Sequence, residues 1–233
     1  DEPRPERDGG VRIDICICTY RRPELEATLL SIAAMRRPDG ARIRVIVADN
    51  DDVPSARDRV YRLAARLPFE VSYVHCPASN ISIARNACLD LAGGDFLAFV
   101  DDDETVSAHW LAHLLQCAVE TDAEAVLGPV RSVYSSGAPA WMRKGDFHST
   151  MPVWVDGEIR TGYTCNLLLR RTSPRLAGRR FSLALGRTGG EDTEYLGRLH
   201  EAGGGIAFAP GALVFEPVPA ERARFAWLAK RRF

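Results

Sequence analysis

The 233-residue sequence predicts a single α/β domain with a mostly parallel central sheet flanked by helices. Two observations predict it. Short β-branched or wholly apolar runs alternate with stretches of helical period, which implies right-handed βαβ crossovers. Three of those runs stop abruptly at polar or acidic residues, and ligands bind an open parallel sheet at the carboxyl ends of its strands. The length is enough to bury a large core.

The elements follow in order. Ile13, Ile15 and Ile17 alternate with Asp14, Cys16 and Cys18, a strand that stops at Thr19-Tyr20. Pro23 opens a helix to about Met35 with Leu25, Leu29 and Ile32 on one face. Arg44 to Ala48 is the second strand and runs into Asp49-Asn50-Asp51-Asp52. A helix over residues 55–67 and a strand over 70–75 precede a helix over 82–92, which Gly93-Gly94 would cap. Phe96 to Val100 is apolar throughout and leads into Asp101, Asp102, Asp103 and Glu104. Ser107 would cap a helix to about Glu120, and a strand follows over 125–130. Residues 131–160, with Pro139, Trp141, Pro152 and Trp154, read as a long excursion over the sheet. Thr164 to Arg170 reads as a strand, and Glu191 to Ala202 as a helix closed by three glycines. Short strands follow near 206–208 and 213–215. The organisation is thus a disordered polar leader (1–10), one domain (11–216) and a basic, aromatic C-terminal helix (217–233).

Thirty basic against 31 acidic side chains give a net charge of −1, no field for nucleic acid. Six scattered cysteines without CxxC spacing fall mostly in predicted strands and helices. They read as small buried hydrophobes of a reducing, cytoplasmic compartment. No apolar run approaches the ~18 residues that cross a bilayer, and no signal-peptide pattern opens the chain.

The chemistry lies in the acid run. Crowded like charges stay ionised only beside a cation or strong donors. Oxygen ligands of this kind suit Mg²⁺ or Mn²⁺, whose remaining positions are filled by phosphate oxygens and water. Neither GxxxxGK[ST] nor a GxGxxG after the first strand is present, so a diphosphate would be held by metal and side chains. Each residue also has a plainer reading: Asp49 and Asp51 as turn formers, Arg85 as a helix surface charge, Asn166 as a strand-end cap. Glu191 and Asp192 in a first helical turn are favoured by the macrodipole alone. His109 and His113 lack the glutamate of HExxH and read as ordinary helix residues.

The segments IDICICTYRRPE, VIVADND, NISIARNACLDLAGGDFLAFVDDDE, TGYTCNLLLRR and GGEDTEYLGRL resemble, in order, the motifs of family 2 glycosyltransferases of the GT-A fold, over about residues 11–216. The ending FEPVPAERARFAWLAKRRF is most similar to bacterial exopolysaccharide glucosyltransferases of the succinoglycan type. The resemblance implies a UDP-sugar donor, UDP-glucose first, and a saccharide acceptor, lipid-linked and therefore at the inner membrane face. It implies that Asp49 accepts from the uracil, with Thr19, Tyr20 and Asp51 about the base and Arg85 against base or diphosphate. Asp101 would approach the ribose and Asp103 the metal, with Asp102 open to either role. Asn166 would lie beneath the donor sugar, Glu191 in the donor site, and Asp192 would be the catalytic base. Many GT-A enzymes have a histidine ligand after the last core strand; here Glu216 stands there as the oxygen ligand, or the acid run holds the metal alone. The QxxRW motif of processive synthases is missing, so a single sugar would be transferred.

Gly186 to Gly190 would form a mobile segment closing over the donor. Arg222, Arg224, Lys230, Arg231 and Arg232, interleaved with Phe225, Trp227, Leu228 and Phe233, have two readings: a helix at an anionic membrane, or apolar residues packed on the domain with solvated charges. A sugar nucleotidyltransferase is the rival enzyme, but Thr19-Tyr20-Arg21-Arg22 lacks the glycine-rich loop it needs. An inactive nucleotide-sugar-binding module is the other.

Overall fold

The computed structural model describes residues 10–232; the expected leader (1–10) lies outside the described residues except for Gly10, and so does Phe233. The chain runs β1 (Arg12–Thr19), α1 (Leu25–Ala34), β2 (Arg42–Asp49), α2 (Arg57–Ala64), β3 (Glu70–His75), α3 (Ile81–Leu91), β4 (Phe96–Val100), β5 (Thr105–Val106), α4 (Trp110–Thr121), β6 (Ala125–Leu127) and β7 (Val130–Tyr134). It continues with α5 (Ala140–Gly145), β8 (Trp154–Val155), β9 (Glu158–Ile159), β10 (Asn166–Leu169), α6 (Glu191–Glu201), β11 (Ile206–Phe208), β12 (Val214–Val218) and α7 (Phe225–Arg232).

Seven strands form the main sheet in the order β11-β6-β10-β4-β1-β2-β3. All are parallel except β10, which runs against both β4 and β6. A second sheet, β5-β12-β7, flanks it. The alternation in β1 does what a two-residue period requires. Ile13, Ile15 and Ile17 join the core under α1, α2 and α4, while Cys16 joins the core under α3 and α6. Phe96, Ala98 and Val100 against Leu97 and Phe99 divide β4 between the same two cores.

Five local readings change. The C-terminal helix expected over 217–233 is shorter, because β12 runs on to Val218 and α7 covers Phe225–Arg232. The predicted strand over 125–130 is two strands in different sheets, because the chain breaks at Gly128-Pro129. The excursion over 131–160 holds β7, α5 and the β8–β9 hairpin. Ser107 does not cap α4, whose N-cap is His109 with no side-chain cap bond. Gly93 and Gly94 do not supply a left-handed helix end. Their N–H groups donate to the buried Asp14 carboxylate at 2.7 and 2.8 Å. A Cβ on Gly94 would stand 2.7 Å from the Arg12 carbonyl oxygen, so close approach is what asks for glycine there. Gly203, by contrast, does end α6 in the left-handed region at φ 76°.

The topology decides where a ligand can sit. From β1 the chain winds outward through β2 and β3, then α3 carries it back to β4 on the other side of β1. The carboxyl ends of β1 and β4 therefore diverge into a crevice.

Candidate active site

That crevice is a cleft of about 290 Å³ lined by Cys18, Thr19, Tyr20, Arg22, Asn50, Ile81, Arg85, Asp101 and Asp102. One wall is the turn after β1. Its Thr19 hydroxyl donates to Asp102 Oδ2 at 2.7 Å, and the Tyr20 N–H reaches the same oxygen at 3.3 Å. Arg21, at φ 55°, turns its guanidinium back onto Asp51 at 2.8 Å and over the Tyr20 ring. Tyr20, with Arg21 over its ring, is 41% exposed and lines the cleft. Arg22 lies 3.4 Å from Asp103.

The other wall is the acid run. Burial pushes the Asp101 carboxyl up to about 6, against the pull of Arg85 and with the push of Asp103 and Asp192. Burial also raises Asp102 to about 7, although the Thr19 hydroxyl draws it down. Glu104, outside the predicted site, is almost wholly buried; its Oε2 accepts the Asp101 N–H at 2.8 Å, and burial raises it well above an ordinary glutamate. The ligand atoms of Asp101, Glu104 and Cys165 lie within 4.8 Å of one another. Hard cations take oxygen rather than sulfur, and burial keeps the Cys165 thiol protonated. The fit to Mg²⁺ or Mn²⁺ therefore rests on the Asp101 and Glu104 carboxylates, a mutually repelling oxygen pair that such an ion relieves; Asp103, the expected metal ligand, stands outside this close group.

Four predicted residues take other places. Asp49 is fully buried and does not line the cleft. Its carboxylate accepts from the Asp51 N–H (3.1 Å), the Ala56 N–H (2.8 Å) and the Tyr73 hydroxyl (2.8 Å), which fixes the turn after β2. The adjacent Asn50, which the sequence reading passed over, reaches the cleft instead. Asp51 is likewise buried behind the wall, and Arg21 holds its carboxyl down to about 2. Asn166 is wholly buried and fully engaged: it accepts from Trp110 Nε1 at 2.8 Å and donates to the carbonyls of Pro129 and Ala212. These bonds tie the two sheets together. Glu216, on β12, sits 3.4 Å from Arg222 and is among the charges that raise Glu104, but stands outside the close Asp101–Glu104 group.

The catalytic candidate enters from α6. Glu191 is buried and forms an ion pair with Arg85, whose guanidinium also lies over the Phe181 ring at 5.6 Å. This pair holds the first turn of α6 against α3 at the cleft. Asp192, the next residue, is half-buried, and its charge is felt by both Asp101 and Arg85.

This fold, with an acid run at the crevice, is that of GT-A glycosyltransferases. The chain belongs to glycosyl transferase family 2, whose profile matches residues 14–175. It is 65% identical to the succinoglycan biosynthesis protein ExoM of Rhizobium meliloti over 96% of this chain and 72% of that protein. It is 24% identical to a glucosyl-dolichyl phosphate glucuronosyltransferase of Haloferax volcanii over 69% of this chain and 53% of that one. Among solved structures, S. aureus TarS 1-349 in complex with UDP-GlcNAc matches with a TM-score of 0.68 at 19% identity, covering 89% of this chain and 59% of that one. GalNAc-T7 with UDP, GalNAc and Mn²⁺ matches at 0.67 and 15%, covering 92% of this chain and 45% of that one. At such identities the likeness is one of fold.

Proposed function

We propose that the protein is an inverting, metal-dependent, non-processive glycosyltransferase. It moves one sugar, glucose in our reading, from a UDP donor to a polyprenyl-linked saccharide in exopolysaccharide synthesis. The observation that supports this is the Arg85–Glu191 pair, which joins the first turn of α6 to a residue of the acid-lined cleft, with Asp192 next in the chain and its charge felt by Asp101. The name of the R. meliloti relative supports the glycan class, and the ligands named for the solved neighbours support a UDP donor and Mn²⁺.

In this reading the uracil stacks on Tyr20 with Asn50 at its edge, and Arg22 and Arg85 flank the diphosphate. Asp101, Asp103 and Glu104 would hold the divalent ion, which when bound neutralises charge on the departing diphosphate. Asp192 takes the proton of the acceptor hydroxyl as that oxygen bonds to C1 and the C1–phosphate oxygen bond breaks, releasing UDP. The sugar passes through an oxocarbenium-like state, as in other glycosyl chemistry. In the segment before α6 the Ile81 N–H donates to the Gly186 carbonyl at 3.0 Å. Gly189 and Gly190, both near φ 90°, hold a left-handed backbone that glycine adopts without strain.

Location follows the acceptor: cytoplasmic, in peripheral contact with the inner membrane face. Among the described residues no helix is long and apolar enough to cross a membrane. On α7, Leu228 packs against the Met142 cluster and Trp227 stacks on His148 at 5.1 Å, while Phe225 meets the Trp141 ring edge-on at 6.4 Å yet stays 73% exposed and would make such contact. Flotation with anionic vesicles checks this; a protein that stays unbound at low salt contradicts it.

The test of the function is UDP release from a panel of nucleotide sugars with Mn²⁺ or Mg²⁺. Metal-dependent turnover of UDP-glucose is expected. Binding without turnover of any donor would leave a nucleotide-sugar-binding module instead.

A further inference from the structure

The segment that delivers Asp192 is fastened along one helix. Asn86 of α3 grips the Phe181 backbone at both ends: its Nδ2 donates to the carbonyl at 3.0 Å and its Oδ1 accepts from the N–H at 2.9 Å. One turn earlier on the same face, Ser82 Oγ donates to the Ser182 carbonyl at 2.8 Å. At the helix start, Asn80 caps α3 by accepting from the Ser82 N–H at 3.1 Å, and its Nδ2 donates to the Leu183 carbonyl at 3.0 Å. A Cβ on Gly186 would land on the Asn80 carboxamide oxygen, so the segment lies flush against the cap. The seam ends where Arg85 takes Glu191.

The same helix presents Ile81 and Arg85 to the cleft. Alpha-3 therefore carries both the donor wall and, through side chains, the backbone that leads to the base. We propose that Asn86, supported by Ser82 and Asn80, is a positioning residue that sets the distance between Asp192 and the bound donor; this rests on the reading of Asp192 as base. Asn86 touches no substrate in this account. A displacement of about 1 Å at a reacting group is enough to cost ~10²-fold in rate, and the seam is what prevents it.

The test is UDP release from UDP-glucose with Mn²⁺, alongside UDP affinity by calorimetry and a thermal midpoint. Asn86→Ala is expected to lower kcat by roughly 10- to 100-fold with UDP affinity unchanged. Asn86→Asp, which keeps the acceptor for the Phe181 N–H, should fall between. In an Asp192→Asn background Asn86→Ala should cost nothing further, because it acts through Asp192. If Asn86→Ala does not fold, Ser82→Ala removes a single bond of the seam and reads the same quantities. Normal kcat in the Asn86 and Ser82 variants, a parallel fall in UDP affinity, or a full additional loss in the Asp192→Asn background would overturn the proposal. Should Asp192→Asn itself turn over normally, the base assignment falls with it; an impaired Asp192→Asn beside a normal Asn86→Ala removes the positioning role alone.

Discussion

The Thr19 hydroxyl donates to the Asp102 carboxylate at 2.7 Å, joining the end of β1 to the acid run after β4 across the crevice. Residues 83 apart in sequence thus tie the two walls together, and the middle acid is committed to that bond. Thr19→Val keeps the shape but leaves a buried carboxylate short of a donor, a loss of about 1–3 kcal/mol. Denaturant unfolding should show that loss for Val and little of it for Thr19→Ser; equal stability of all three would contradict the role.

Asp49 organises the turn after β2 and does not touch the cleft. Asp49→Ala orphans two backbone N–H groups and a tyrosine hydroxyl, so we expect a destabilisation of about 2–4 kcal/mol. UDP affinity of the folded variant should stay within a few-fold of wild type while Asn50→Ala weakens it more. Calorimetry decides, and the reverse order would restore Asp49 to the base pocket.

The acids also set a pH dependence. Asp101 and Asp102 are raised to about 6 and about 7, and Glu104 is raised as well. Each binds its proton more tightly folded than unfolded, so its contribution is fully present below about pH 4 and is lost as pH rises through the folded values. The groups held low, Asp14, Asp51 and Glu124, stay ionised from pH 5 upward and add no slope there. Metal-free protein should therefore lose stability between pH 5 and 8, read as a falling denaturant midpoint. A flat or rising midpoint would contradict this.

Metal should couple to nucleotide at the same acids. UDP affinity measured by calorimetry should fall on chelation, and Asp103→Ala should abolish that dependence. Equal affinity with and without chelator in the wild-type protein would contradict the metal assignment.

The fold was legible because β1, β2, β3 and β4 announce themselves by alternation or by unbroken apolar runs, and their order leaves few topologies. The acid run was legible for the same reason: charge directly after a buried strand has nowhere to go but the sheet edge. Which side chains line the cleft was harder to read. Asp49 and Asn50 are neighbours, and only the hydrogen bonds of Ala56 and Tyr73 show that Asp49 turns inward. Asn166 looked available because nothing in the sequence pairs it with Trp110, 56 residues away. Glu104 did carry a signal, as the fourth acid before a two-residue strand, but its contact with the Asp101 N–H depends on a tight turn that composition does not reveal. The seam along α3 joins residues about 100 apart, beyond any local pattern.

The central claim is that Asp192 removes the acceptor proton. The most direct measurement is the rate of sugar transfer by Asp192→Asn, set beside its UDP affinity and thermal midpoint. Nearly isosteric, the amide cannot take a proton, so transfer should fall by ~10²–10⁴-fold while affinity and midpoint hold. Transfer at the wild-type rate would mean that Asp192 only begins a helix.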